Sequence, residues 1–369
     1  MKFLKITNNE KKEWLIPLEK MKMALCLYQP SSCKGKTLKA FLPFVLKIPV
    51  LRNIILKIFD FQIVDYQLDN NLLECISKNL KIQSFKYSIF KGTPGKHQKT
   101  TIQIYDNNNI LAYCKISEDI NVFELFRHEE KVLKYLEKCK IYNVPRCLYC
   151  GIVGNYYVFI QSTEKTLKSF SSNKLDSNKI QFIRNMCNKT SKEMCGDKSE
   201  YYYMLQSFQN DIEVLKNYDI LKEYVSFLKD LILRIEERVE NINIFCVYHG
   251  DFTPWNIFEE NGKIFLFDFE YASFEYPAYL DIFHFFTQDC IYSKRYEYDE
   301  IYTRYLSFLK PILMSEKLFS NIDEAYIMYL LSVCQLYINR EKNNMDDEIQ
   351  RHIKIRLDLM KEIDKNYKI

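Results

Sequence analysis

The sequence predicts an α+β chain in two lobes, a small antiparallel-sheet N-lobe and a larger, mostly helical C-lobe. Three observations carry that prediction. The chain has 369 residues, too many for one small module. Short alternating runs with local connections fill residues 83–164, and from residue 165 to 369 apolar residues recur mainly at helical spacing. A β-rich stretch followed by a helix-rich one reads as two lobes with a cleft between them, and residues 1–82 precede both as a basic, partly apolar extension.

The elements follow in order. SFKYSIFKG, from Ser84, alternates as one strand, and TTIQIY, from Thr100 to Tyr105, gives a second. The turn residues Asp106 to Asn109 lead to a third, ILAYCKI. In the next segment Val122, Phe126, Glu129, Leu133 and Leu136 recur on one face of a helix, and Pro145 ends that region. YYVFI, from Tyr156 to Ile160, is a further strand with a polar exit, Gln161 to Glu164. SFSSNKLDSN reads as a linker or loop; Ile180 to Met186 and Tyr203 to Glu240 read as mostly helical. Ile244 to Phe269 is a strand-loop-strand region, and the chain from Tyr279 onwards is helical again.

Residues 1–60 hold twelve Lys or Arg against four acidic residues, net +8, while the remaining 309 residues balance 40 against 44. Within them AFLPFVLKIPVLRNIILKIF, Ala40 to Phe59, is the most apolar stretch. Pro43 and Pro49 argue against one straight helix there and favour a helix starting near Pro49. The expectation is a hydrophobic cover on the small lobe with Leu51, Ile54, Ile55 and Ile58 buried; peripheral membrane contact through residues 40–59 is the alternative.

Composition excludes several classes. With 47% hydrophobic and 27% charged residues the chain is an ordinary globular one rather than disordered. A net charge of +4 without basic-aromatic interleaving gives no case for nucleic acid. Cys147 and Cys150 form the only CxxC, and His97, His128, His249, His284 and His352 never pair at ligand spacing, so zinc chemistry is not expected. The opening MKFLKITNNEKKEW breaks into charge after six residues, which is not the pattern of a signal peptide, and no long uncharged apolar stretch exists. The expected location is the cytoplasm, with the inner face of the membrane as the place of any peripheral contact.

The densest chemical signal is YHGDFTPWNIFEENGKIFLFDFE, Tyr248 to Glu270. Asp251 sits in a loop, Asn256 opens an apolar pair five residues later, and Asp268 follows a short strand. A hairpin turning at Glu259 to Gly262 returns Asp268 beside Asn256, so an amide oxygen and a carboxylate can share a hard divalent cation while Asp251 faces a hydroxyl. Glu270 is a candidate for a second metal contact or a substrate amine. Trp255, Phe274 and Tyr276 lie beside the loop, where they could meet a sugar face, with packing favoured for Trp255.

HGDFTPWN followed by FDFE resembles the catalytic and metal-binding segments of the aminoglycoside phosphotransferase and choline kinase superfamily, whose members are small-molecule kinases with a protein-kinase-like fold; the His-Gly-Asp opening is closer to the aminoglycoside branch. The resemblance runs thinly over residues 85 to 285. It implies Asp251 as catalytic aspartate, His249 as support for the loop, and Asn256 and Asp268 as magnesium ligands. It implies that Pro277 and Asp281 brace the loop, although Glu275 and Tyr276 replace the usual Gly-Asp pair before that proline. It further implies a nucleotide-covering loop containing Gly92 and Gly95, and Lys115 on the phosphates of ATP. Of Glu129 and Glu130, helical phase points Glu129 inward, so it is expected to hold Lys115. Gln161 and Thr163 fall where nucleotide-base recognition belongs, which leaves ATP and GTP both open. The expected activity is magnesium-dependent transfer of the ATP γ-phosphate to a hydroxyl of a small molecule, a sugar or surface-glycan precursor being one acceptor class; a catalytically inactive kinase-like binding protein and a membrane-surface adaptor are the alternatives.

Overall fold

Eight antiparallel strands drawn from residues 2–162 form one sheet in the computed structural model, which describes residues 1–8, 11–30, 33–92, 98–342 and 344–367. The strands are β1 (Lys2–Thr7), β2 (Glu13–Pro17), β3 (Gln62–Asp65), β4 (Lys86–Lys91), β5 (Thr100–Tyr105), β6 (Ile110–Ser117), β7 (Cys147–Val153) and β8 (Tyr156–Ser162). Their order is β3-β1-β2-β4-β5-β6-β8-β7. Helices α1 (Met21–Ala24), α2 (Cys33–Val45), α3 (Pro49–Ile58), α4 (Asn70–Leu80) and α5 (Ile120–Lys138) belong to the same N-terminal unit, residues 1–138 and 142–170.

The strand period of two explains how the sheet acquires a core on each face. In β1, Phe3 joins Leu72, Ile76, Ile89 and Ile102 on the α4 face, whereas Leu4 and Ile6 join Trp14, Ile16, Leu42 and Leu46 on the other. Register matches this split, with Leu4 opposite Ile16 and Ile6 opposite Trp14.

No boundary therefore falls at residue 82. The segment read as an extension supplies β1, β2 and β3, and β2 pairs with β4 to continue the sheet. The cover is also only half as expected. Leu42 and Leu46 are buried in the second core, and Ile55 and Leu56 pack against it, but Leu51, Ile54 and Ile58 are exposed and α3 buries no residue. A single helix has only one inward side, and Ile55 and Leu56 already occupy it. Pro49 acts as expected and opens α3, whereas Pro43 lies inside α2, which runs on to Val45; the break between the two helices falls at residues 46–48.

The second unit, residues 139–141 and 171–369, is helix-rich. It contains α6 (Ser177–Thr190), β9 (Lys192–Glu193), α7 (Glu200–Asp211), α8 (Val225–Glu240), β10 (Ile244–Tyr248), the hairpin β11 (Ile257–Glu260) and β12 (Lys263–Leu266), and β13 (Ser273–Tyr276). After these come α9 (Leu280–Gln288), α10 (Tyr298–Arg304), α11 (Lys310–Glu316), α12 (Ile322–Glu341) and α13 (Asp347–Tyr367). Lys179 of α6 is fully buried and donates to Glu259 of β11 at 2.5 Å, a paired charge that ties the hairpin to the helical body. Among the described residues no helix is long and apolar enough to cross a membrane.

Candidate active site

Strand β10 delivers the chain to His249, Gly250 and Asp251. Gly250 has φ +78°, and a Cβ there would stand 2.3 Å from the Tyr271 carbonyl oxygen, so the turn into Asp251 requires glycine on both counts. His249 is fully buried and fixes the loop from two sides. Its Nδ1 accepts the Asp251 backbone N–H at 3.1 Å, which leaves the proton on Nε2 to be donated to the Phe267 carbonyl at 3.2 Å. One imidazole thus links the Asp251 loop to the residue before Asp268.

The hairpin sets Asp268 beside Asn256. Asn261 and Gly262 have φ of 50° and 75°, the paired left-handed conformations of a tight two-residue hairpin turn, and Ile257 stands opposite Leu266. The Phe267 N–H donates to the Asn256 carbonyl at 3.1 Å, so Asp268, itself at φ 73°, emerges next to Asn256. Asn256 donates through Nδ2 to Asp251 Oδ2 at 2.7 Å and to the Asp251 carbonyl at 3.0 Å, so the amide nitrogen is committed to Asp251 and the side-chain oxygen is left to accept or to coordinate. The carboxylates of Asp268 and Glu270 approach within 4.8 Å of one another, and Glu270 is buried. Two neighbouring carboxylates with an amide oxygen form an all-oxygen donor set of the kind that suits a hard divalent cation.

Asp281, at the start of α9, is the brace. Its carboxylate accepts the N–H of His249 at 2.9 Å and of Gly250 at 3.2 Å. Burial pushes its pKa up to about 7 from an ordinary 3.8, against the opposing pull of those two hydrogen bonds.

One neighbour of Asp251 was not singled out from the sequence. His284, one turn after Asp281 on α9, places Nε2 3.3 Å from Asp251 Oδ1. Burial holds its pKa down to about 3, so the imidazole is neutral. Arg356, fully buried on α13, donates to Gln288 Oε1 at 2.9 Å and thereby turns the Gln288 amide nitrogen towards the same His284 Nε2, 3.1 Å away. The two neighbours make opposite demands: the carboxylate favours a proton on Nε2, the amide a lone pair. The helical spacing from Asp281 to His284 to Gln288 was the available signal.

In the N-terminal unit Lys115 of β6 donates to Glu129 of α5 at 2.7 Å, and both side chains are buried. Glu130 instead pairs with Lys134 on the wet side, as helical phase predicts. Gly92 closes the base of its loop through a hydrogen bond from its N–H to the Lys99 carbonyl at 3.3 Å, while Gly95 lies outside the described residues. Gln161 is within β8 rather than after it; its side chain is buried, and its Oε1 has no hydrogen-bond partner among the described residues. Thr163 follows the strand and accepts the Lys165 N–H at 3.1 Å. Cys147 and Cys150 keep their protons, with burial pushing both thiols up to about 12. Trp255 is 42% exposed and meets Tyr292 edge-on at 6.2 Å, so it is less a packing residue than expected, whereas Tyr276 is buried and stacks on Tyr248.

No protein-family model matches the sequence, and no curated protein matches it either. Solved structures share the fold. A choline kinase from Cryptosporidium parvum is 14% identical, with a TM-score of 0.51 over 81% of this chain and 96% of that one. An ethanolamine kinase from Plasmodium vivax is 17% identical, with a TM-score of 0.50 over 76% and 83%. A thermostable mutant of an aminoglycoside phosphotransferase is 10% identical, with a TM-score of 0.52 over 82% and 100%. At these identities the likeness is one of fold: the chain has the two-lobed protein-kinase-like architecture of small-molecule kinases, and no single branch stands out.

Proposed function

We propose that this chain is a magnesium-dependent phosphotransferase that moves the γ-phosphate of ATP, or of GTP, to a hydroxyl of a small molecule. The observation that carries the reading is the clamped Asp251 carboxylate, with Oδ2 on the Asn256 amide and Oδ1 against the neutral His284. Asp251 orients the acceptor hydroxyl and takes its proton as the new O–P bond forms and the bond to the nucleotide β-phosphate oxygen breaks. His249 and Asp281 keep the loop in register. Asn256 and Asp268 hold the magnesium ion, with Glu270 as a further carboxylate; bound there, the ion neutralises charge on the phosphate oxygens. Lys115, fixed by Glu129, contacts the nucleotide phosphates, the backbone at Gly92 and Gly95 covers them, and Gln161 and Thr163 flank the base.

The His-Gly-Asp opening favours the aminoglycoside-like branch. Partly exposed Trp255 and Tyr292 offer aromatic faces to a sugar, which supports a saccharide or surface-glycan precursor as acceptor. The reading includes a cytoplasmic location with reversible contact at the inner face of a membrane through residues 40–59.

A panel of sugars, aminoglycosides, choline and nucleosides, incubated with the enzyme and magnesium nucleotide, tests the function. One acceptor is expected to gain the mass of a phosphate while nucleotide is consumed. Binding of nucleotide without turnover on any acceptor would favour the inactive binding-protein reading instead.

The lysine partner gives a second test. Glu129→Ala should raise the KM for nucleotide far more than Glu130→Ala, because Glu130 and Lys134 form a water-exposed pair worth only about 0–1 kcal/mol. Steady-state kinetics in nucleotide decide it, and the reverse ranking would remove Glu129 from the site.

A further inference from the structure

Residues 20–59 contain eight Lys or Arg and not one Asp or Glu. Within this stretch α1, α2 and α3 lie over one face of the N-terminal sheet, with Leu42, Leu46 and Ile55 turned towards it. What they turn outward is unusual. Val50 and Ile58 are 68% and 67% exposed, Phe41 and Phe44 59% each, and Leu51 and Ile54 are also in the open. At 3.6 residues per turn Val50, Leu51, Ile54 and Ile58 share one side of α3, so the outer face of this helix is aliphatic where a surface helix ordinarily places polar groups. Lys20, Lys22, Lys47 and Lys57 are exposed, and none of the four has an acidic partner among the described residues. Beside Phe44, Lys20, Lys22 and Lys47 line a cavity of about 500 Å³ floored by Met21 and Leu46.

We infer that this face seats the chain on a bilayer rich in anionic phospholipid. Phe41, Phe44, Val50, Ile54 and Ile58 enter the boundary between headgroups and acyl chains, the lysines meet lipid phosphates, and the cavity holds one headgroup phosphate among Lys20, Lys22 and Lys47. Charge selects this occupant over a second copy of the chain. A two-fold contact would bring two acid-free basic faces together, whereas an anionic surface complements them. The inference deepens the membrane-contact reading above and requires no phosphoryl transfer, so a binding assay judges it separately from catalysis.

The full chain is sedimented with phosphatidylcholine vesicles with and without phosphatidylserine, at low and high salt. Binding is expected only with phosphatidylserine and should fall as salt screens the charges. Ile54→Glu combined with Ile58→Glu should lower the partition coefficient more than about tenfold, and Lys20→Gln and Lys47→Gln about fivefold each. All four side chains are exposed, so melting temperature and nucleotide turnover should be unchanged; the lysine variants, which alter no apolar group, keep the test valid if the double glutamate variant folds poorly. The inference is overturned by absence of binding to phosphatidylserine vesicles at low salt, or by binding that neither set of variants reduces. Concentration-dependent dimerisation abolished by the glutamate variant, without vesicle binding, would assign the face to a second copy.

Discussion

Asp251→Asn is expected to cut phosphoryl transfer by about 10²–10⁴-fold, the contribution typical of a positioned general base, while leaving magnesium-nucleotide affinity nearly intact. The geometry makes this substitution a clean one. An asparagine at 251 can still offer its oxygen to Asn256 Nδ2, and its new amide can face His284 Nε2, whose neutral ring can accept. The loop keeps its shape and loses only the group that takes the hydroxyl proton. Asp268→Ala should behave differently: both turnover and magnesium-nucleotide affinity fall, because the proposal makes the lost carboxylate a ligand rather than the base. Calorimetric titration with magnesium nucleotide separates the two, together with turnover on whichever acceptor the panel identifies. Equal nucleotide affinity and equal turnover in Asp268→Ala would sink the metal assignment, and a turnover in Asp251→Asn within a few-fold of the parent would remove Asp251 as base.

Much of this arrangement was legible because its determinants are local. Asp251, Asn256 and Asp268 lie within eighteen consecutive residues, joined by a hairpin whose Asn-Gly turn is among the strongest short-range signals in a sequence. The choice of Glu129 over Glu130 also needed only helical phase, and the Lys115 contact agrees with it. The failures are non-local. β3 pairs with β1 across more than fifty intervening residues, and no pattern in KFLKIT announces its partner. Arg356, which orients Gln288 and through it His284, lies 68 residues further along the chain than Gln288, and nothing near it in the sequence marks it as part of the site. The exposed side of α3 was missed for another reason. Apolar residues on an amphipathic helix ordinarily face the core, so the rule that places Ile55 inward gives no warning that Ile54 and Ile58 face out.

Asp281→Asn should destabilise the chain by an amount that shrinks as pH rises. The Asp281 side chain takes two backbone N–H groups in a buried site, and when protonated its hydroxyl oxygen still keeps a lone pair for one of them; asparagine keeps one acceptor and turns its own N–H₂ towards the other donor, a loss of about 1–3 kcal/mol. The pH term follows from the raised pKa. In the folded chain the group holds its proton up to about 7, whereas in the unfolded chain it loses it near the ordinary 3.8. Between those values the folded state binds more protons, so the stability that Asp281 contributes is full below pH 4 and declines until the folded carboxyl has ionised. At about 1.4 kcal/mol for each pH unit, the decline is on the order of 4 kcal/mol across the window. Asparagine does not titrate, and groups that do not interact with Asp281 cancel in the comparison. Urea unfolding of parent and variant at pH 5 and pH 8 should therefore give a larger difference at pH 5, with the gap narrowing or reversing at pH 8. A difference that stays constant across this range would mean that Asp281 ionises as an ordinary aspartate. Turnover of the variant at pH 8 isolates the positioning role: with the His249 and Gly250 amides no longer both held, kcat should drop while the KM for nucleotide stays near the parent value, since the Lys115 and Glu129 contact is untouched.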